Sequence, residues 1–149
     1  MENHRESILQ FMLAINRLDG FYYTVAKRLG LNENETALLY ALSDGKRHTQ
    51  REICRQWLIP RTTVNSITQH YVRLGYLELL PTGHREKELR LTEAGEAFSQ
   101  ALFAQVFQAE QIAFAQTIGE DAGAISQRIL QFIQRMEALL NGAPEGECP

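Results

Sequence analysis

Apolar residues recur along this chain at helical spacing, separated by short polar breaks, and the first such stretch lies near the N-terminus. Ile8, Phe11, Met12, Ile15 and Leu18 follow the i, i+3, i+4, i+7 rhythm of an amphipathic helix. Gly20 is expected to interrupt it, with Phe21, Tyr22, Val25 and Leu29 resuming a similar face. Asn32 followed by Glu35 reads as a capping box, and Ala37, Leu38, Ala41 and Leu42 would form the buried face of the helix it opens. Gly45 is placed to end that helix. A second capping box, Thr49 with Glu52, starts a short helix near Gln50 whose inward residues are Ile53, Trp57 and Leu58. It has to stop before Pro60, because the residue preceding a proline is pushed out of the helical region. Pro60 also brings a fixed φ suited to the start of the next helix.

That next helix, roughly Arg61 to Leu74, has two different faces. Val64, Ile67, Tyr71 and Leu74 would pack inward. Thr62, Ser66, Gln69 and Arg73 lie opposite, with Thr63 and Asn65 near the edge of that face. No carboxylate stands there, whereas an ordinary exposed helix carries Glu–Lys pairs at i, i+4. Hydroxyls, amides and Arg are the side chains that donate to phosphates and read base edges. In YLELLPTGHREKELRL, which follows, Leu77, Leu79, Leu89 and Leu91 alternate with polar residues, as in a two-stranded hairpin with one buried face. Its tip offers His84, Arg85 and Lys87 to a phosphate backbone or a minor groove. A helix, a tight connection, a polar-faced second helix and a basic hairpin read as a winged helix-turn-helix. The DNA-facing candidates are Gln50, Arg51, Arg61, Thr62, Thr63, Asn65, Ser66, Gln69, Arg73, His84, Arg85 and Lys87.

Thr92 caps a further helix, and Glu93 suits the dipole of its first turn. From Ala97 to Ile118 its apolar positions include Phe98, Leu102, Val106 and Ile112, with Phe103, Phe107 and Phe114 alongside, until Gly119 breaks it. Ile125, Ile129, Phe132, Met136 and Leu139 then keep a 4, 3, 4, 3 spacing, a short heptad seam. A winged helix needs no such long flanking helices for its own core. Ile8, Phe11, Met12 and Ile15, with the five seam residues, are therefore assigned to a homodimer interface. A two-fold dimer would present two recognition helices to half-sites about one DNA turn apart. The fold class expected is mainly α, an α+β winged helix-turn-helix with N- and C-terminal dimerisation helices. Residues 1–149 are taken as one domain, with the DNA-binding lobe at 30–92 and the dimerisation helices at 5–29 and 93–140. The tail, 141–149, is Gly/Pro-rich and expected to be disordered.

Charge sharpens this picture. The chain carries −3 overall, an unpromising value for a nucleic-acid binder. From Gly45 to Thr92, however, nine Lys or Arg face four Glu, giving +5, while the remainder has six against fourteen, giving −8. A phosphate-facing surface on an acidic body has this distribution. No apolar run is long enough to span a membrane, and the N-terminus lacks the apolar segment of a secretory signal. Two cysteines, Cys54 and Cys148, form no disulfide framework, which fits a cytoplasmic protein. No phosphate loop, nucleophile elbow or metal-ligand spacing occurs, so no enzyme activity, cofactor or metal is expected. Two rival readings stay open: a winged helix that docks on a partner protein without specific DNA binding, and a thiol-based redox regulator using Cys54.

Taken together, these residues resemble the MarR family of bacterial transcriptional regulators over roughly Ser7 to Leu140. The resemblance is carried by the element order and by two stretches, PRTTVNSITQHYVRLGYL and REKELRLTEAG. It implies a homodimer that binds a pseudo-palindromic operator on double-stranded DNA, usually as a repressor. It also implies release of DNA when a small aromatic or phenolic effector enters a cleft between the dimerisation helices and the DNA-binding lobe. Tyr22, Tyr23, Phe103 and Phe107 are the candidates to line that cleft. One departure stands out: the family commonly places an Asp two residues before the wing Arg, and here Gly83 precedes Arg85.

Overall fold

The structure is a computed structural model that describes residues 3–142; the expectation for residues 143–149, including Cys148, lies outside them. Its elements run α1 (Arg5–Arg28), α2 (Glu33–Leu42), β1 (His48–Thr49), α3 (Gln50–Trp57), α4 (Arg61–Arg73), β2 (Leu77–Pro81), β3 (Lys87–Leu91), α5 (Glu93–Thr117) and α6 (Ala122–Leu140). A 3-10 turn, Gly119–Asp121, joins the last two helices. Two compact units result, one up to Val106 and one from Phe107 onward, and α5 crosses the boundary between them without a break. The fold is mainly α with a small antiparallel sheet, as the pattern predicts.

Both capping boxes form. Asn32 accepts from the Glu35 amide at 2.9 Å while the Glu35 carboxylate accepts from the Asn32 amide at 3.1 Å. Thr49 and Glu52 repeat the arrangement at 3.1 and 2.8 Å. Each box satisfies two backbone donors that a helix start would leave orphaned. The first unit closes around Leu38, Leu39 and Leu42 of α2, Ile53 of α3, Val64 of α4, Leu89 of β3 and Phe103 of α5, all fully buried. Burial pushes the Tyr71 phenol up to about 12, with the Glu35 carboxylate adding to the shift, so this core tyrosine stays neutral.

Several local expectations are corrected. Gly20 does not interrupt α1, which runs unbroken from Arg5 to Arg28. A glycine inside a helix costs only about 1 kcal/mol relative to alanine, less than two flanking runs of helical turns supply. The hairpin is not two-stranded: β1 adds to it, in the order β1-β3-β2, through His48↔Leu89 and Thr49↔Glu88. Trp57 and Leu58 do not face inward. Leu58 takes a left-handed conformation at φ +53°, which reverses the chain, leaves its own side chain 87% exposed and turns Ile59 into the core at 3%. Trp57 is 39% exposed, and Leu74, beyond the last turn of α4, is 51% exposed. Leu39 is buried where Ala37 is only half-buried.

The end of α4 is bound to the start of α5. Gly75, at φ +77°, donates to the Val72 carbonyl at 3.0 Å, and Tyr76 donates to that of Tyr71 at 2.9 Å, the two bonds of a Schellman cap. The Thr92 amide then donates to Tyr76 O at 3.0 Å, and the Thr92 hydroxyl donates to Gly75 O at 2.6 Å while accepting from the Gly95 amide at 3.0 Å. Gly95 lies so close to this junction that a Cβ on it would stand 1.9 Å from the Tyr76 carbonyl oxygen. Backbone cannot yield as a flexible side chain does. Gly95→Ala should therefore destabilise the fold by about 2–4 kcal/mol, measured by urea or thermal unfolding. A melting temperature equal to that of the unsubstituted protein would show that the junction is looser than described.

Candidate nucleic-acid interface

The outer face of α4 is built by its own periodicity. With Val64, Ile67, Thr68 and Tyr71 buried, Arg61, Thr62, Asn65, Ser66, Gln69 and Arg73 are left exposed, and Thr63 is half-buried at the edge. The first turn carries no acid, so no side-chain carboxylate from it offsets the partial positive charge of the helix start. Ser66 Oγ donates to the Thr62 carbonyl at 2.9 Å, so its hydroxyl proton is used within the helix and its lone pairs remain as acceptors.

Around α4 stand the start of α3 and the wing. Gln50 is half-buried and Arg51 exposed. The Thr49 amide bond to the Glu52 carboxylate holds that acid below the usual glutamate range. In the wing, β2 and β3 pair from Leu77↔Leu91 out to Pro81↔Lys87, so Lys87 belongs to the strand and the loop is 82–86. The Thr82 hydroxyl closes that loop, donating to the Glu86 carbonyl at 2.6 Å and accepting from the His84 amide at 3.3 Å. Gly83 turns the tip with φ +79°. His84, Arg85 and Lys87 are all exposed.

Ion pairs remove some of the lobe's positive charge from consideration. Arg90 binds Glu78 across the β2–β3 ladder, Arg47 approaches Glu88 at 3.8 Å, and His48 meets Asp44 at 3.0 Å. Partial burial opposes ionisation of Asp44, but the His48 and Lys46 hydrogen bonds and charges outweigh it and bring its carboxyl below the usual range. Among the described residues the side chains of Arg51, Arg61, Arg73, Arg85 and Lys87 enter no ion pair. These five cations are therefore available to an outside anion.

Two acids at this surface have no counterpart in the sequence reading. Glu33, at the first position of α2, joins Asn32, Asn34, Thr62, Thr63, Ser66 and Ile67 in lining an open cleft of about 340 Å³. Glu86, in the wing, accepts from the Arg51 backbone amide at 3.2 Å. Both depend on contacts between segments far apart in the chain, which no local spacing reveals.

The four effector candidates divide. Tyr40 of α2 makes edge-to-face contacts with Tyr22 of α1 at 6.4 Å, Trp57 of α3 at 5.8 Å and Phe103 of α5 at 6.0 Å between ring centres. Tyr22 and Phe103 thus meet the same ring. Tyr23 lies under the Lys27 ammonium at 4.4 Å, outside that cluster, and Phe107 follows one turn after Phe103 in the second unit. Of the dimerisation candidates, Ile8, Met12 and Ile15 are exposed on α1 and Phe11 is half-buried. On α6, Ile125, Phe132, Met136 and Leu139 are exposed and Ile129 half-buried, with Leu130 and Ile133 exposed beside them. Cys54 is half-buried on α3. Among the described residues no His, Cys, Asp or Glu cluster is arranged to hold a metal, and no helix is long and apolar enough to cross a membrane.

Comparison with known proteins matches this arrangement. The whole fold is similar to a MarR family regulator from Neisseria meningitidis, with a TM-score of 0.79 at 22% identity over 93% of this chain and 99% of that one. It is also similar to NadR crystallised with 4-hydroxyphenylacetate, TM-score 0.65 at 16% identity over 89% and 93% of the two chains. The transcriptional regulator BldR from Sulfolobus solfataricus superposes with a TM-score of 0.66 at 14% identity over 91% and 99%. No curated protein matches the sequence. Residues 29–87, which span α2, α3, α4 and most of the wing, match the family model described as the MarR family.

Proposed function

We propose that this protein is a homodimeric, sequence-specific repressor that binds a pseudo-palindromic operator in a bacterial cytoplasm and responds to a small phenolic effector. The observation that carries the DNA-binding part is the acid-free outer face of α4, set between unpaired cations on α4 itself, on α3 and on the wing. Asn65, Ser66 and Gln69, with Thr62 and Thr63, would read base edges in the major groove. Arg51, Arg61, Arg73, His84, Arg85 and Lys87 would meet the phosphate backbone, and Gln50 would support the start of α3 against it.

Dimerisation is supported by the apolar faces left open to water on α1 and, separately, on α6. Neither the monomer's own core nor solvent accounts for so many exposed Ile, Leu, Met and Phe side chains. Pairing with a second copy would cover them and set two α4 helices on two half-sites. The effector part is supported by the ring cluster at Tyr40 and by the phenolic ligand of NadR. Tyr22 and Phe103 flank Tyr40, and a ligand that displaced either ring would shift Tyr40 against Trp57 of α3. Tyr23, on α1 beside Tyr22, would then lie at the margin of the site.

The deciding experiment is titration of duplex DNA from the gene's own upstream region at several salt concentrations, with the mass of the complex measured by light scattering. Two chains per duplex and a strong preference over random duplex are expected; a 17.0 kDa monomer with equal affinity for all sequences would sink the reading in favour of a protein-docking module. Arg61→Ala should weaken binding to every duplex and lower the salt slope by about one unit. Asn65→Ala and Gln69→Ala should instead relax preference at particular base pairs, by about 1–3 kcal/mol for a bidentate contact. Glu33→Gln should tighten binding to all duplexes by about threefold, since one charge leaves the DNA side of the lobe. It should also weaken the start of α2 by about 0.3–1 kcal/mol through the helix dipole; unchanged or weaker DNA binding would place Glu33 away from the interface. Trp57 fluorescence should change when 4-hydroxyphenylacetate is added, with DNA released in parallel, whereas an unaltered spectrum at saturating ligand would remove the ring cluster from consideration.

A further inference from the structure

The Glu86 carboxylate, at the end of the wing loop, bonds outside the wing, as Glu88 of β3 does in its ion pair with Arg47. It accepts from the Arg51 backbone amide at 3.2 Å, across 35 positions of sequence, at the start of α3. The first turn of α3 is thereby closed from two sides, because the neighbouring Glu52 amide is already taken by Thr49 Oγ1. The wing base is held by the β1–β3 pairing through His48 and Thr49, and the loop is closed on itself by Thr82. The Glu86 bond adds a further tie, from the end of the loop to the first turn of α3.

We infer that Glu86 is a positioning residue for DNA binding, which pins the wing tip to the start of α3 so that Arg85 and Lys87 are held ready for phosphate. An acid between two cations in a DNA-facing loop is otherwise hard to account for, since its charge repels the backbone those cations attract. Directed at a helix start, the same carboxylate is stabilised by the amide and by the helix dipole. It supplies from the C-terminal side of the loop the kind of fixation that Gly83, having no side chain, cannot supply from the other. A wing held in place loses less conformational entropy on binding. The inference rests on the DNA-binding reading above and goes beyond it to the geometry of one loop.

Its test is the sign of a charge effect. If Glu86 were a solvated acid beside DNA, Glu86→Ala would tighten binding. As a positioning residue, its loss should weaken operator affinity by about tenfold, the worth of one hydrogen bond to a charged group. The salt slope should fall by up to about two units, because Arg85 and Lys87 no longer engage together. Glu86→Gln, which keeps an acceptor oxygen, should recover most of the affinity. In an Arg85→Ala/Lys87→Ala background, Glu86→Ala should have no further effect on DNA binding, which a loss of fold stability could not mimic. Tighter binding by Glu86→Ala, or the same tenfold loss in the background lacking both cations, overturns the positioning role while leaving the DNA-binding reading intact. Absence of duplex binding by the unsubstituted protein overturns both.

Discussion

The geometry of the first unit depends on the junction where Tyr76, Thr92 and Gly95 meet. Three hydrogen bonds made by Thr92 join the end of α4, the base of both long strands and the start of α5 within a few ångströms. The close approach of Gly95 to the Tyr76 carbonyl leaves no room for adjustment. α5 starts at this junction, so any displacement of its first turn bears directly on the end of α4. A backbone-to-backbone lock transmits displacement better than a contact between flexible side chains, which absorb it in their rotamers. The stacking of Tyr76 on Phe98, 4.5 Å between ring centres and 10° between planes, reinforces the lock with an apolar layer.

Against that fixed point, the ring cluster at Tyr40 forms a second connection between α5 and the helix-turn-helix. Phe103 is fully buried two turns beyond the junction, and through Tyr40 it reaches Trp57 at the last residue of α3. Trp57 is followed at once by the left-handed Leu58 and by Pro60, which together set the angle between α3 and α4. The end of α4 is tied to α5 by backbone, and the end of α3 by aromatic packing.

How much of this was legible in the sequence follows from the range of each interaction. Both capping boxes could be read because their partners stand three residues apart, and the two faces of α4 because periodicity alone sorts them. β1 could not, since two residues carry no alternation and His48–Thr49 becomes a strand only by pairing with β3. Trp57 and Leu58 were expected inside because helical spacing was extended one step past the point where Leu58 leaves the helix; a non-glycine left-handed residue gives no local signal. The exposure of Leu74 has the same origin at the other end of α4. Glu33 and Glu86 stood in plain view as charges, but what they touch is set by tertiary placement. The candidate site was thus readable as a list of outward residues and unreadable as a balance of charges.

That balance explains how an acidic chain can present a basic surface. Of the nine Lys and Arg between Gly45 and Thr92, Arg90 and Arg47 face glutamates of the sheet, and their charge serves the hairpin instead of a ligand. Arg51, Arg61, Arg73, Arg85 and Lys87, which enter no ion pair among the described residues, lie on α3, α4 and the wing, while the remainder of the chain carries −8. For an approaching polyanion, the acidic regions are repulsive and the face of α4 attractive, and both effects extend over about a Debye length, 8 Å at physiological salt. Glu33 lies at the seam between the two regions, beside Thr62, Thr63 and Ser66, and limits how far the attractive face extends toward α2.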